Sequence, residues 1–405
     1  MGIAAAVAVV VVGSVLLDPT PTGQVEVGLG APTLGPATPA PTTAPTVTPT
    51  STPLPPTATP MPTPVPILTA RLSFSGDVLS HSGVYGQALQ NGNEIGDADF
   101  GYDYRPMFAQ VQERLSQADL AICVLETPVS ADNIGLSGYP TFNAPRELPA
   151  ALKAVGFDGC STASNHSWDR GRDGVVATLT EMDQVGLGHA GMARTQQEAL
   201  TPKIYDVNGI SIAHLSWTYG LNGFVLPADE PWLVNVTNVD GILADADRAR
   251  DAGADVVILS IQWGNEYVTD PTANQLELAD TFTASADIDM IVGNHAHVIQ
   301  PIDTVNGKLV VYGLGNFLSN QSGECCPARS QDGVMIEIVI TGTDVDGYSV
   351  TEVAAVPTWV DRSSYTIVPA ASGQDARPEL QDALATSLER TAATLTRLGA
   401  QVTIE

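Results

Sequence analysis

From Leu68 onward, short apolar runs alternate with stretches in which apolar residues recur every three or four positions. The runs RLSFSGD (71–77), LAICVLET (120–127), FDGCSTASNH (157–166), ISIAHLSW (210–217), DVVILSIQWG (255–264) and DMIVGNHAH (289–297) have the length of strands. The stretches near 105–117, 147–155, 173–185, 237–251 and 273–286 have a helical period. Such an order predicts an α/β fold with mostly parallel strands. Asn208-Gly209 and Asn306-Gly307 predict two-residue hairpin turns. The segment GVMIEIVITGTDVDGYSVTEVAAVP (333–357) is rich in strand formers and predicts a second sheet packed on the first. Pro378 to Leu398 predicts an amphipathic closing helix.

The pattern upstream is different. Residues 3–17, IAAAVAVVVVGSVLL, are uncharged and apolar, shorter than the ~20 residues of a comfortable membrane span. We read 1–20 as a secretory signal peptide or signal anchor, although a basic leading segment and a clear small-residue cleavage site are missing. From Ala31 to Pro66, Pro or Thr fills 24 of 36 positions with no charge, so this segment has nothing with which to build a core. Closely spaced prolines favour polyproline II at ~3.1 Å per residue, enough to hold a domain ~100 Å from a surface. The expected organisation is therefore an export segment (1–20), a disordered stalk (21–66), a catalytic-size domain (67–365) and a C-terminal helical extension (366–405). The expected location is the extracellular face of the cell membrane, anchored or secreted, with membrane contact through the N-terminal segment.

Composition narrows the partners. Hydrophobic residues make up 44% of the 405, which fits a packed globular domain. Lys and Arg number 17 against 45 Asp and Glu, a net charge of −28 that repels nucleic acid. The same field opposes an anionic polymer or a small phosphoester unless a bound cation supplies positive charge. Cys123 and Cys160 lie in strand-like runs and read as core residues, whereas Cys325 and Cys326 lie in a polar loop where an exported protein would be open to oxidation. Four cysteines allow three pairings, among which the spacing does not choose.

In open α/β sheets, ligands sit beyond the carboxyl ends of the strands. Five runs end in a suitable polar group: Asp77, Glu126, Asn165-His166, Gln262-Trp263-Gly264, and His295 with His297. Oxygen and imidazole donors without thiolate suit Mn, Fe or Zn, and their spread over five loops suits two divalent ions. Taken alone the His-x-His pair is weak evidence, because in a strand the two rings share a face and can simply be hydrogen-bonded.

The ordered set Gly76-Asp77, Leu125-Glu126, Asn165-His166 with Asp169 and Gly171, Gln262-Trp263-Gly264 with Glu266-Tyr267, Gly293 with His295 and His297, and Tyr312 to Phe317 resembles the CapA family of capsule (poly-γ-glutamate) synthesis proteins. SWTYGLNG (216–223) is similar to a further family segment, and the resemblance spans Leu68 to Val360. It implies a metallophosphoesterase-like αββα sandwich, two mixed sheets flanked by helices. It also implies that Asp77, Glu126, Asn165, His295 and His297 hold metal, with His166 as general acid. Two departures stand out. Gln262, in the metal-ligand position, replaces the family's usual histidine, so one of the two ion sites is expected to be weak, to prefer Mn or to be empty, and Asn294 stands where another histidine is common. Asp169 is expected to orient His166, with His81, Trp263, Glu266 and Tyr267 facing substrate. Arg170 and Arg172 read as solvated, His189 and His214 as core histidines, and Tyr312 to Phe317 as turns without chemistry. These residues point to an exported metal-dependent hydrolase of phosphoester-like or related anionic envelope substrates within a membrane capsule-synthesis complex, with cleavage of an amide in the polymer as a further reading. The alternative is a non-catalytic accessory protein that binds poly-γ-glutamate or another wall polymer.

Overall fold

A computed structural model describes residues 65–97 and 99–405, with 35 and 38–40. The expected export segment and all but six residues of the stalk lie outside the described residues. The described residues from 65 onward belong to one compact unit. No helix among the described residues is long and apolar enough to cross a membrane.

The chain begins one sheet with β1 (Leu68–Val78), β2 (Leu120–Leu125), β3 (Gly159–Ser161) and β4 (Gly188–Ala190), each parallel to the last. It then builds a six-stranded sheet from β5 (Lys203–Val207), β6 (Ile210–Thr218), β7 (Val256–Gln262), β8 (Met290–Asn294), β9 (Ile302–Val305) and β10 (Lys308–Val311), in the order β5-β6-β7-β8-β10-β9. Finally it returns to the first sheet with β11 (Asn316–Leu318), β12 (Asp332–Thr343), β13 (Gly347–Asp361), β14 (Thr366–Pro369) and β15 (Thr403–Ile404).

The strand-rich final third thus differs from expectation: β12 runs antiparallel along β1 from Leu68↔Gly342 to Ser75↔Met335 and completes the first sheet instead of forming a second. Both sheets are mixed. The segment 366–405 adds β14 and β15 to that sheet besides the helix Gln381–Leu395. Both predicted hairpin turns are present, with Asn208, Gly209, Asn306 and Gly307 at positive φ.

Alternation along the strands produces four layers. Leu72, Phe74, Leu120 and Ile122 meet Ile212, Ile258, Met290 and Val292 in a core between the sheets. Their neighbours Ala121, Cys123 and Leu125 face outward onto the helices Ser82–Ile95, Gln112–Gln117, Leu148–Ala154 and Gly171–Gln184. On the other sheet Val257, Leu259 and Ile291 pack under the helices Val239–Asp251 and Ala273–Ala284. This is the αββα sandwich expected. The helix Ser82–Ile95 escapes the sequence pattern because it buries only Val84, Ala88 and Gly92, a stripe too thin to register as apolar. Cys123 and Cys160, both buried, are register partners on β2 and β3 and are joined by a disulfide.

His214 on β6 is buried, with Nε2 2.9 Å from Ser260 Oγ and Nδ1 unpartnered. Burial, and then Lys203 opposite it, depress its pKa from 6.5 to about 4. The native state therefore binds fewer protons than the unfolded chain in this window. Stability from this group is full above about 6.5 and is lost as pH falls toward about 4. We expect denaturant unfolding at about pH 7 and about pH 4 to differ by roughly 3 kcal/mol more in the parent than in His214→Gln. Identical pH slopes in the two proteins would rule this out.

Candidate metal centre

The carboxyl ends of both sheets open on the same seam. Asp77 sits at the end of β1, where β11 runs alongside with Asn316 as its register partner. Asp77 N–H donates to Gly315 O at 3.0 Å, and a Cβ on Gly76 would lie 1.9 Å from that same oxygen. Glycine at 76 is therefore what lets the two strands approach and present the aspartate. Glu126 follows β2 and Asn165 follows β3.

From the other sheet come Gln262, ending β7, and the histidine pair beyond β8. The strand stops at Asn294, so the pair is not in a strand: His295 and His297 have φ of 93° and 53°. Left-handed backbone is costly for residues with a Cβ and persists only where its surroundings enforce it. Alternate positive φ turns both rings into the seam.

His297 is the hub. Its Nδ1 lies 3.1 Å from Asp77 Oδ2 and 3.0 Å from Asn316 Oδ1, and both are acceptors, so Nδ1 carries the proton. Nε2 is left facing Glu126 Oε1 at 3.8 Å. Asn316, expected to serve only a turn, is thus part of the site. Its amide nitrogen donates to Ser330 O at 2.8 Å and to Gln321 Oε1 at 3.0 Å, which fixes its oxygen toward His297.

Around this hub, buried polar atoms have no partner: Asp77 Oδ1, both Glu126 oxygens, Asn165 Oδ1 and His295 Nδ1. Such orphans normally cost about 1–3 kcal/mol each, and more when charged. Donor atoms of Glu126, His295 and His297 lie within 4.8 Å of one another. Burial, then the neighbouring Asp77, push the Glu126 carboxyl well above its usual range. Burial pulls His297 down, but the Glu126 and Asp77 carboxylates outweigh it and lift the imidazole to about 9. Both shifts express one excess of negative charge, which protons relieve in the absence of a metal. Burial, with His297 and His166 nearby, lowers His295 to about 3 and keeps it a neutral donor. The acceptor set and its charge fit a divalent cation.

A second constellation adjoins the first. Asp169 Oδ2 receives the His166 Nδ1 proton at 2.7 Å and the Phe142 backbone N–H at 2.7 Å, leaving His166 Nε2 free. Asp169, expected to orient His166, stands in direct hydrogen-bond contact with it. Asn222, in a segment we had singled out without assigning the residue a role, has Nδ2 3.3 Å from His166 Nδ1 and accepts from Asn165 at 3.2 Å.

Gln262 and Trp263 are engaged otherwise than expected. Gln262 Oε1 accepts from Asn165 N–H at 2.7 Å and from Thr218 Oγ1 at 3.1 Å, so the amide oxygen expected to bind metal is already occupied. An N–H donor fixes which end of the amide is there; Nε2 is the end turned to Glu126. Trp263 is core: it stacks on Tyr312 and donates to Tyr312 O at 2.9 Å. Glu266 is exposed, and its charge reaches Glu126 and His297. His81 stands edge-on to Phe142 at 5.1 Å, with burial lowering it to about 4. Tyr267 lies with its ring 6.1 Å from that of His297. Tyr219, in the same 216–223 segment and likewise without an assigned role, tilts over His295 at 4.4 Å and is 46% exposed, so it walls the opening.

Buried carboxylates, amides and imidazoles at the carboxyl ends of two packed sheets define an αββα protein with a candidate metal centre. The chain belongs to the family described as bacterial capsule synthesis protein PGA_cap, which matches residues 71–321. It is 29% identical over 252 residues to the capsule biosynthesis protein CapA of Bacillus anthracis, covering 59% of this chain and 58% of the relative. It is 30% identical over 218 residues to the PGA biosynthesis protein CapA of Bacillus subtilis (strain 168), covering 51% and 53%. A probable polyglutamine synthesis accessory protein of Mycobacterium tuberculosis is 25% identical over 223 residues, covering 51% and 57%. The chain thus spans little more than half the length of these relatives. Among solved structures, the calcineurin-like phosphoesterase YfkN of Bacillus subtilis aligns with a TM-score of 0.44 and 15% identity, covering 81% of this chain and 100% of that one.

The geometry of Gln262 gives a test. Gln262→Leu strands the Asn165 N–H, while the Thr218 hydroxyl keeps Gly220 O at 3.2 Å as its acceptor, so thermal or denaturant unfolding should show a loss of about 1–3 kcal/mol. Metal per folded chain should equal that of the parent. A drop in metal content at unchanged stability would return Gln262 to the ligand set.

Proposed function

We propose that this protein is a metal-dependent hydrolase of phosphoester-like or related anionic cell-envelope substrates, serving capsule or poly-γ-glutamate metabolism. The observation that carries the reading is the placing of the oriented His166–Asp169 pair beside a buried cluster of unpartnered acceptors. Asp77, Glu126, Asn165, His295 and His297 are the residues we assign to two divalent ions of Mn, Fe or Zn. Such ions would supply Lewis-acid polarisation of a phosphoryl-type oxygen and of the attacking water.

The chain's own groups divide the remaining work. Asp169, held by the Phe142 N–H, keeps the His166 Nδ1 proton in place, and His166 delivers its Nε2 proton to the leaving oxygen. Asn316 and Asp77 hold His297 Nδ1–H, which leaves Nε2 as the nitrogen that would bind an ion, as imidazole ligands are commonly oriented. Tyr219 narrows the entrance. With a net charge of −28, attraction of an anionic substrate depends on the cations. We assign the work to the outer face of the membrane, with the apolar N-terminal run and the Pro/Thr segment as tether.

The second reading is an accessory role, a word that the mycobacterial relative's name carries, here taken as binding poly-γ-glutamate or another wall polymer without turnover; the engaged oxygen of Gln262, which removes one expected ligand, favours it. The experiment separates the two. His297→Ala should lower metal per chain. His166→Ala should retain metal and lose ~10² to 10⁴ in turnover on phosphomonoester or phosphodiester substrates. Equal metal loss in both variants would refute the division of roles. A metal-loaded parent that cleaves neither esters nor poly-γ-glutamate amides would establish the accessory role instead.

A further inference from the structure

We propose that Cys325 and Cys326 form a thiol–disulfide exchange site that reports to the histidine loop of the candidate metal centre. The two are free, adjacent thiols with Sγ atoms 2.7 Å apart, Cys325 exposed and Cys326 partly buried. Their loop is built to hold them together. Both backbone N–H groups donate to Ser322 O, at 3.1 and 2.8 Å, and Arg362 anchors the turn by donating to Ser322 Oγ at 2.7 Å and pairing with Glu324 at 2.8 Å. Cys123 and Cys160 are buried and already bonded, which leaves this pair as the accessible thiols among the described residues.

Exchange balances as follows. A Cys325 thiolate attacks a small-molecule disulfide, forming a mixed disulfide and releasing one thiol. Cys326 then attacks the Cys325 sulfur, releasing the second. Two protein thiols are oxidised to one disulfide while the reagent disulfide is reduced to two thiols. Neighbouring Cα atoms sit ~3.8 Å apart across a trans peptide, below the ~4.4 Å at which disulfides become comfortable. The closed form is therefore strained and easily reduced, which is the character of reversible rather than structural bonds.

Tyr267 links the pair to the site. Its hydroxyl donates to Cys326 Sγ at 3.8 Å, and its backbone N–H donates to Ala296 O at 2.7 Å, between the two histidines. Tyr267 also holds a φ of 65°, so it is kept in place by these contacts against its own backbone preference. Closing the disulfide draws Sγ toward Cys325 and weakens the hydroxyl contact, loosening the hold on the His295–His297 loop. Tyr267 is a positioning residue here. This coupling rests on the metal-centre reading; the exchange chemistry does not.

The full chain is treated with oxidised glutathione, then with dithiothreitol. Intact mass should fall by two hydrogens and recover. Phenylarsine oxide, which bridges neighbouring thiols, should bind once per reduced chain and not at all after oxidation. A Cys325→Ser, Cys326→Ser double variant should do neither. Titration with Mn should give weaker binding in the oxidised form, by about fivefold, and Tyr267→Phe should abolish that difference while exchanging normally. Failure to close, or a glutathione adduct that persists, overturns the site. Equal Mn affinity in the oxidised and reduced forms overturns the coupling. Closure in a protein that binds no Mn in either form removes the metal-centre reading and the coupling with it, and leaves the exchange site standing.

Discussion

Two carboxylates, Asp77 and Glu126, are buried beside one protonatable imidazole where two sheets meet, and the surrounding structure depends on keeping them there. Removing such groups from water costs several kcal/mol each unless charge and hydrogen bonds compensate. His297 answers part of the deficit by holding its proton to about 9. The remaining lone pairs have no donor. A site of this kind is stable when a cation fills it, so affinity for metal and the integrity of the seam are linked.

The sandwich can hold that arrangement because the inter-sheet core is bridged by polar contacts toward its open edge. Ser161 and Ser216 Oγ meet at 2.5 Å, Asn165 N–H reaches Gln262 Oε1 at 2.7 Å, and His297 reaches Asp77 at 3.1 Å. Each joins one sheet to the other. Hydrophobic packing alone would allow the sheets to slide, whereas hydrogen bonds at these points have directions and fix the register of ligands across the seam. Close backbone approach does the same along each sheet. A Cβ at Gly293 would lie 2.2 Å from Tyr312 O, so β8 and the strand beside it are brought together just before the histidines.

Much of this was legible in the sequence. Apolar runs of strand length, Asn-Gly turns and polar residues closing successive runs are local properties, and β1, β2, β6, β7 and β8 fall where the pattern puts them. Asp77, Glu126, Asn165, His166, His295 and His297 could be named because strand ends in α/β sheets face ligands, and Asp169 through the family resemblance. Those residues converge on the seam. The short strand Gly188–Ala190 and the Gly- and Asn-rich helix Ser82–Ile95 gave no comparable signal.

What the sequence alone determined is therefore the alternation of most strands and helices and the donor types available to a metal. Which atoms those donors present was decided by tertiary structure. Gln262 looks like a ligand until Asn165 N–H takes its oxygen, Trp263 looks like a cleft wall until Tyr312 covers it, and Asn316 looks like a turn until β11 sets it beside Asp77. Strands β12 and β13 likewise read as a separate sheet, because nothing local states that β12 pairs with β1. The physical reason is common to all four. Secondary structure follows from periodicity within a few residues, whereas the saturation of a hydrogen-bonding atom depends on groups far away in the chain that folding brings within 3 Å.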